Sequence, residues 1–433
     1  MSETLLAAVT SRPASAVSHG VGIIGLVGLF SWLSIALYFG LDGPYSSLVN
    51  VAACGVPMVL WSIFVDKVHR NPTTGIDWDA KPRPLAEVSD TSLTKLAGFW
   101  ATWAIIAGLY CIFRFYWRDN YLFAMEMFTT AAPILFVLSI PYVFWVDQRL
   151  IEPRDSVWHF GAWVTGRDGA DNEEIYKHLR SWAVKGFYIA FMVSIVPPNF
   201  RGVVAANFSA IQTDPVALIV WLINLMFVID VAMATNGYLL TMRPLDSHIR
   251  SATPYAAGWA AALMCYPPFI MMGGNGPLDY HPQTAEWSHW LAPYPPLLYG
   301  IGAILVFLTA IYAWATVAFG IRFSNLTDRG ILTHGPYAWT KHPAYVSKNL
   351  FWWLATMPFF ALNGSLTDVI RNCAILAMVS GIYYWRAKTE EWHLSVNGEY
   401  RDYVAWMEIN GMFARVKRLH SRPAPQSSVA PAE

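Results

Sequence analysis

The chain has 433 residues, of which 55% are hydrophobic, 15% aromatic and only 13% charged, about half the charged share of an ordinary soluble domain. Its 29 basic and 29 acidic residues cancel, which leaves no electrostatic case for a nucleic-acid partner. The four cysteines, Cys54, Cys111, Cys265 and Cys373, lie inside or beside apolar runs with no Cys-x-x-Cys or Cys/His cluster, so neither a disulfide framework nor a metal site is expected.

Apolar runs near twenty residues long, separated by short charged connections, match a hydrocarbon slab about 30 Å thick. In chain order they cover residues 20–40, 48–65, 93–113, 121–146, 215–241, 254–273, 297–321, 349–362 and 369–385. A weaker run, 182–208, is interrupted by Pro197, Pro198 and Arg201, and with it the count is about ten spans. The first run is too long and uninterrupted for a cleaved signal peptide and reads as a membrane anchor. The expected fold is all-α, a polytopic transmembrane helical bundle. Residues 1–296 form an N-terminal region of about seven spans, a candidate substrate region, 297–420 a core carrying cofactor motifs, and 421–433, rich in Pro, Ala and Ser, a disordered tail.

Basic residues collect in alternate loops: Lys67, Arg70, Lys81 and Arg83; then Arg149, Arg154, Arg167, Lys177 and Arg180; then Arg243 and Arg250; then Arg322, Arg329, Lys341 and Lys348. Residues 275–296 contain none. By the positive-inside rule both termini and the segment after residue 321 face the cytoplasm. Arg114 and Arg118 fall on the opposite side. The long connections 66–92 and 147–181 are polar, with Pro and Gly breakers, and read as solvated loops.

Within the spans, Asp230 is the most conspicuous acid, with Asn224 and Asn236 along the same helix. Such an acid either touches a substrate head group or makes an interhelical hydrogen bond. Glu126 raises the same question. Asp279, His281, Glu286 and His289 have metal-capable side chains, but their spacing matches no zinc pattern.

Residues 325–403 hold polar, aromatic and proline residues at a density that is costly near a bilayer. The segment contains Gly335-Pro336-Tyr337, then His342-Pro343-Ala344-Tyr345, then two apolar runs, then Arg386-Ala387-Lys388-Thr389-Glu390-Glu391 and Glu399-Tyr400-Arg401-Asp402-Tyr403. Pro343 favours the first turn of a helix, which places His342 and Tyr345 on one side of its mouth. Gly335 and Pro336 shape a turn that lets backbone amides approach a ligand. Glu390, four residues after Arg386, is expected to pair with it, leaving Glu391 to accept hydrogen bonds from a ribose or amino group. Tyr337, Trp339 and Trp392 offer ring faces to an adenine or a sulfonium cation. His334 stands beside the turn, and Trp339 is also a candidate substrate contact.

Taken in this order, the motifs resemble the isoprenylcysteine carboxyl methyltransferase family and the related phospholipid methyltransferases, over about the last quarter of the chain. The resemblance implies an S-adenosylmethionine pocket in which His342, Pro343 and Tyr345 contact the cofactor while Arg386, Glu390 and Glu391 close it from the last helix. Lys341 stands where the family usually has Arg, and Ser347 where it usually has Gly. The resemblance does not extend upstream of about residue 297. The activity it implies is methylation of a lipophilic or membrane-associated acceptor, a carboxylate, thiol or amine. No catalytic base is singled out; His334, His342 and His393 are the nearby histidines.

Two other readings stay open at this point. An NADPH-dependent sterol or isoprenoid double-bond reductase has a similar C-terminal layout, and Lys341, Lys348 and Lys388 would offer cations for its 2′-phosphate. That family usually has Asn where Ala344 stands here. A transporter or non-catalytic scaffold is the second, opposed by few intramembrane charges and no visible repeat.

Overall fold

A computed structural model describes residues 11–420; the tail 421–433, expected to be disordered, lies outside the described residues. The helices are α1 (His19–Phe39), α2 (Pro44–Phe64), α3 (Leu85–Ile112), α4 (Asp119–Asp147), α5 (Ser156–Val164), α6 (Asn172–Val204), α7 (Phe208–Thr213) and α8 (Pro215–Leu239). They continue as α9 (Ala256–Leu263), α10 (Trp287–Leu291), α11 (Pro295–Phe319), α12 (Pro343–Thr356), α13 (Leu366–Leu394), α14 (Gly398–Asn410) and α15 (Met412–His420). Among the described residues, eight helices are long and apolar enough to cross a membrane: α1, α2, α3, α4, α6, α8, α11 with its 3₁₀ extension to Arg322, and α13.

Local chemistry sets the ends. The Asp171 side chain accepts from Glu173 N ahead of α6, whose first turn holds Glu173 and Glu174, so a cap and two acids meet the helix dipole. Asp214 accepts from Val216 N while Pro215 occupies the first helical position of α8. Ser365 caps α13 by accepting from Asp368 N.

Three apolar runs fold differently from their expected form. Residues 182–208 fall mostly within the 33-residue α6, which continues through Pro197 and Pro198; buried Val193, Val196 and Phe200 hold that stretch in the core. Residues 254–273 form only the eight-residue α9 and then turns, because Pro267 and Pro268 lack backbone donors and Gly273-Gly274 follows. The run 349–362 belongs to a helix that starts earlier and stops at Thr356, where Met357 turns left-handed (φ 46°) ahead of Pro358.

Helices α8 and α11 form the central pair, flanked by α6, by the α1–α2 hairpin and by α12; α3, α4 and α5 pack outside α6. Small residues let backbones meet, as membrane helices require: a Cβ at Gly161 of α5 would stand 1.9 Å from Thr94 O of α3. The outer faces carry exposed Ile23, Val27, Ile134, Val137, Phe307 and Ile370, a surface suited to lipid and not to water. The protein is a multi-pass membrane bundle.

A two-stranded antiparallel ladder, β1 (Ser251–Ala252) with β2 (Thr327–Asp328), ties the upstream region to the motif segment. Arg329 fixes that crossing. Its Nε donates to Ser247 O at 2.7 Å, its Nη1 to Gly237 O and Phe323 O at 2.8 Å, and its Nη2 to Ile321 O at 3.0 Å. One guanidinium thereby satisfies carbonyls at the C-terminal ends of both central helices. Burial, then neighbouring Arg322, lowers its pKa to about 9.

Candidate cofactor site

Pro343 occupies the first turn of α12, and the expectation that His342 and Tyr345 share a face holds: their rings lie 5.6 Å apart and 7° from parallel. From α13, 45 residues or more further on, two carboxylates meet this face. His342 Nε2 lies 3.0 Å from Glu391 Oε1, and the Tyr345 hydroxyl donates to Glu390 Oε2 at 3.1 Å. Glu391 also takes Lys341 Nζ at 2.7 Å and Lys388 Nζ at 2.9 Å. Loop and helix are therefore joined by a carboxylate with three nitrogen partners.

Arg386 does not pair with Glu390. Its Nη2 donates to Asn325 Oδ1 at 3.2 Å, and its guanidinium sits 5.6, 5.2 and 5.1 Å from the ring centroids of Tyr266, Tyr345 and Tyr383. A planar, weakly hydrated cation gains from ring faces on several sides, and it turns into that cluster while Glu390 turns to the Tyr345 hydroxyl.

His342, Tyr345 and Glu391 border a cavity of about 740 Å³, with Trp339, Lys341 and Asn349 on the same side, Ser380, Tyr383, Ala387 and Lys388 on another, and Met407, Gly411 and Phe413 beyond; Arg386 and Glu390, expected to close it, do not line it and border a small separate pocket with Thr389 and His393. That volume is within the usual range for a cofactor-sized ligand. Asn349 Oδ1 is a buried acceptor with no partner among the described residues, while its Nδ2 donates to Tyr345 O at 2.8 Å. A ligand with N–H or O–H donors would satisfy that acceptor, and an adenosine carries several. The residues present therefore fit an adenosine-bearing group with both charges on its tail.

Of the remaining expected site residues, all but Trp339 are placed away from this cavity. His334 is buried, its Nδ1 2.7 Å from Ser15 Oγ and its ring 4.1 Å from that of His19; burial first, then His19 and Arg12, push the imidazole down to about 4. Gly335 has φ 58° and packs its backbone near Trp314. Tyr337 rests against Phe319 at 5.4 Å, and its carbonyl accepts from the Tyr403 hydroxyl at 2.7 Å. These three shape the loop and do not line the cavity, whereas Trp339 does, with Arg415 5.7 Å from its ring. Trp392 packs on Trp385 and Tyr255 instead, and His393 Nε2 lies 2.9 Å from Ser251 Oγ. Asp230 accepts from Thr316 Oγ1 at 2.5 Å, an α8–α11 interhelical bond away from the cavity.

Sequence reasoning missed Asn349 and Tyr383, and it read Lys388 only as a phosphate contact. Asn349 follows Tyr345 by four residues and His342 by seven, so helical spacing would have placed it on the same face. Lys388 precedes Glu391 by three. The lining from α14 and α15 had one sequence signal, the buried Tyr400 and Tyr403 that seat the C-terminal helices.

The fold and this arrangement define a polytopic membrane protein with an open cavity between a loop, its last long helix and the C-terminal helices. Residues 297–396 match the isoprenylcysteine carboxyl methyltransferase (ICMT) family, a match that supports a membrane methyltransferase. No curated protein and no solved structure matches the chain.

Proposed function

We propose that the protein is an S-adenosylmethionine-dependent methyltransferase acting on a lipophilic, membrane-associated acceptor. The observation that carries this reading is the pair of contacts from His342 to Glu391 and from Tyr345 to Glu390. They join the two halves of the motif set within the segment that matches the family, and His342, Tyr345 and Glu391 border the 740 Å³ cavity. The family match favours a methyl donor over the nicotinamide alternative.

When bound, the cofactor supplies an electrophilic methyl group: the acceptor's lone pair forms the new bond to carbon as the carbon–sulfur bond breaks, leaving the neutral thioether. The chain's own residues do the holding. Lys341 and Lys388 would present ammonium groups to the cofactor's carboxylate, and Glu391, fixed by both lysines and His342, would accept from its donors. Asn349 Oδ1, buried without a partner among the described residues, would take a further donor. Trp339, Tyr345 and Tyr383 offer ring faces to adenine or to the sulfonium. Binding and exclusion of water are the protein's main contribution to an in-line displacement.

The test is transfer itself. Membranes containing the protein are incubated with methyl-labelled S-adenosylmethionine and extracted into organic solvent. Label entering the organic phase with the wild type and not with Glu391→Gln supports the reading, and equal label with both overturns it.

A further inference from the structure

We propose that the upstream helices build a second ligand site, a pocket that takes one amphiphile with a single hydrocarbon chain and an anionic head. The pocket measures about 500 Å³ and lies between α3, α4 and α6, with the segment after α8 as part of its floor. Every residue lining it falls between Lys95 and Ile249, upstream of the family-matched segment. Its existence therefore does not depend on the reading of the cofactor cavity.

The walls are apolar, formed by Phe99, Trp103, Tyr142 and Trp182 among others. Leu135 and Leu138 line it from α4 while remaining 53% and 56% exposed, so the pocket opens on the bundle's outer face, where a spanning helix meets hydrocarbon. The polar end is different. Lys95 Nζ pairs with Asp147 Oδ1 at 2.7 Å and Asp155 Oδ2 at 3.3 Å, and Arg243 Nη2 pairs with Asp155 Oδ2 at 3.2 Å. Two cations there face two carboxylates. Lys185 is left over: it lines the same pocket, has no carboxylate within ion-pair distance among the described residues, and rests its ammonium 3.8 Å from the Trp182 ring centroid. His248 Nδ1, also in the lining, is buried without a hydrogen-bond partner.

A cation within a span and without a counter-ion is a functional site by default, and the charge it lacks is negative. An anionic head would complete the Lys185 pair and meet His248, while one chain fills the apolar walls and leaves through the Leu135–Leu138 opening. The volume is that of a single small-molecule site. A neutral amphiphile would fill the walls and leave Lys185 unpaired.

The full-length protein, purified in uncharged detergent, is tested for equilibrium binding of radiolabelled hexadecanoate at neutral pH, with hexadecyl phosphate, hexadecanol and inorganic phosphate as competitors. The proposal predicts saturable one-to-one binding, competition by hexadecyl phosphate, hexadecanol weaker by about tenfold or more, and no competition from inorganic phosphate. Lys185→Gln lowers affinity by about fivefold or more, and so does Leu138→Trp, which narrows the mouth from an exposed position and serves alone if the first variant does not fold. Hexadecanol equal to hexadecanoate, full competition by inorganic phosphate, absence of saturable binding, or wild-type affinity in the folded variants would each overturn it. None of these outcomes bears on S-adenosylmethionine binding.

Discussion

Replacing Glu391 by Gln tests the cofactor cavity at its most connected atom pair. The carboxylate holds His342 at 3.0 Å, Lys341 at 2.7 Å and Lys388 at 2.9 Å. The three contacts are unequal. Lys341 and Lys388 are 27% and 38% exposed, so solvent screens their pairs, and each is worth about 0.5 kcal/mol. The His342 contact, with both side chains under a fifth exposed, falls nearer the range of about 1.5 to 3 kcal/mol for a hydrogen bond to a charged group. Gln keeps one oxygen to accept from a single partner and turns its amide against the others. The bond from a bound cofactor's donor to this carboxylate is the one the ligand loses, about 1 to 3 kcal/mol, a fall of roughly five- to 150-fold in affinity for S-adenosylhomocysteine. Calorimetric titration of detergent-purified wild type and variant, with NADPH run alongside as the competing cofactor class, reads this directly. Wild-type affinity in the variant, with a normal melting temperature, would refute the assignment of Glu391 to the ligand.

Three further outcomes follow from the packing. Arg329→Met strands carbonyls at the ends of α8 and α11 that now share one guanidinium; a loss of about 3 kcal/mol or more is expected, read as a lowered melting temperature, and an unchanged melt would contradict the role. Gly161→Ala puts a Cβ 1.9 Å from Thr94 O, whereas Gly108→Ala meets nothing within 4 Å. The first should destabilise by about 1 to 3 kcal/mol and the second be near neutral, so equal effects would dismiss the α3–α5 contact. His334, with its imidazole pushed from 6.5 down to about 4 by burial, His19 and Arg12, is held neutral in the folded state. The unfolded chain binds the extra proton, so this contribution is complete above about pH 6.5 and is lost as pH falls toward 4, about 3 kcal/mol in all. Melting curves of wild type and His334→Gln across that window should diverge in slope, and parallel curves would remove His334 as the cause.

The helical bundle was legible because apolar runs of span length leave little choice. The exceptions have local causes. In α6, tertiary packing carried a helix through two prolines that read as interruptions; at 254–273 two prolines and a glycine pair ended a run that composition alone marks as a span. In the site, His342, Tyr345, Glu390 and Glu391 could be named from spacing and motif order, since each lies on a helix face or a helix start. His334, Gly335 and Tyr337 share the motif but face the N-terminal segment and α11, and a loop's side-chain directions are set by partners hundreds of residues away. Arg386 is similar: helical spacing offered Glu390, but a cluster including Tyr266 from a distant loop took the guanidinium. Asp230 met Thr316, a partner no local pattern announces.

The most direct measurement is an experimental structure of the protein with S-adenosylhomocysteine. The ligand should lie between Trp339–Asn349 and Tyr383–Glu391, with its donors on Glu391 or Asn349. Lipid chains filling that space, or the nucleoside bound elsewhere on the bundle, would contradict the account.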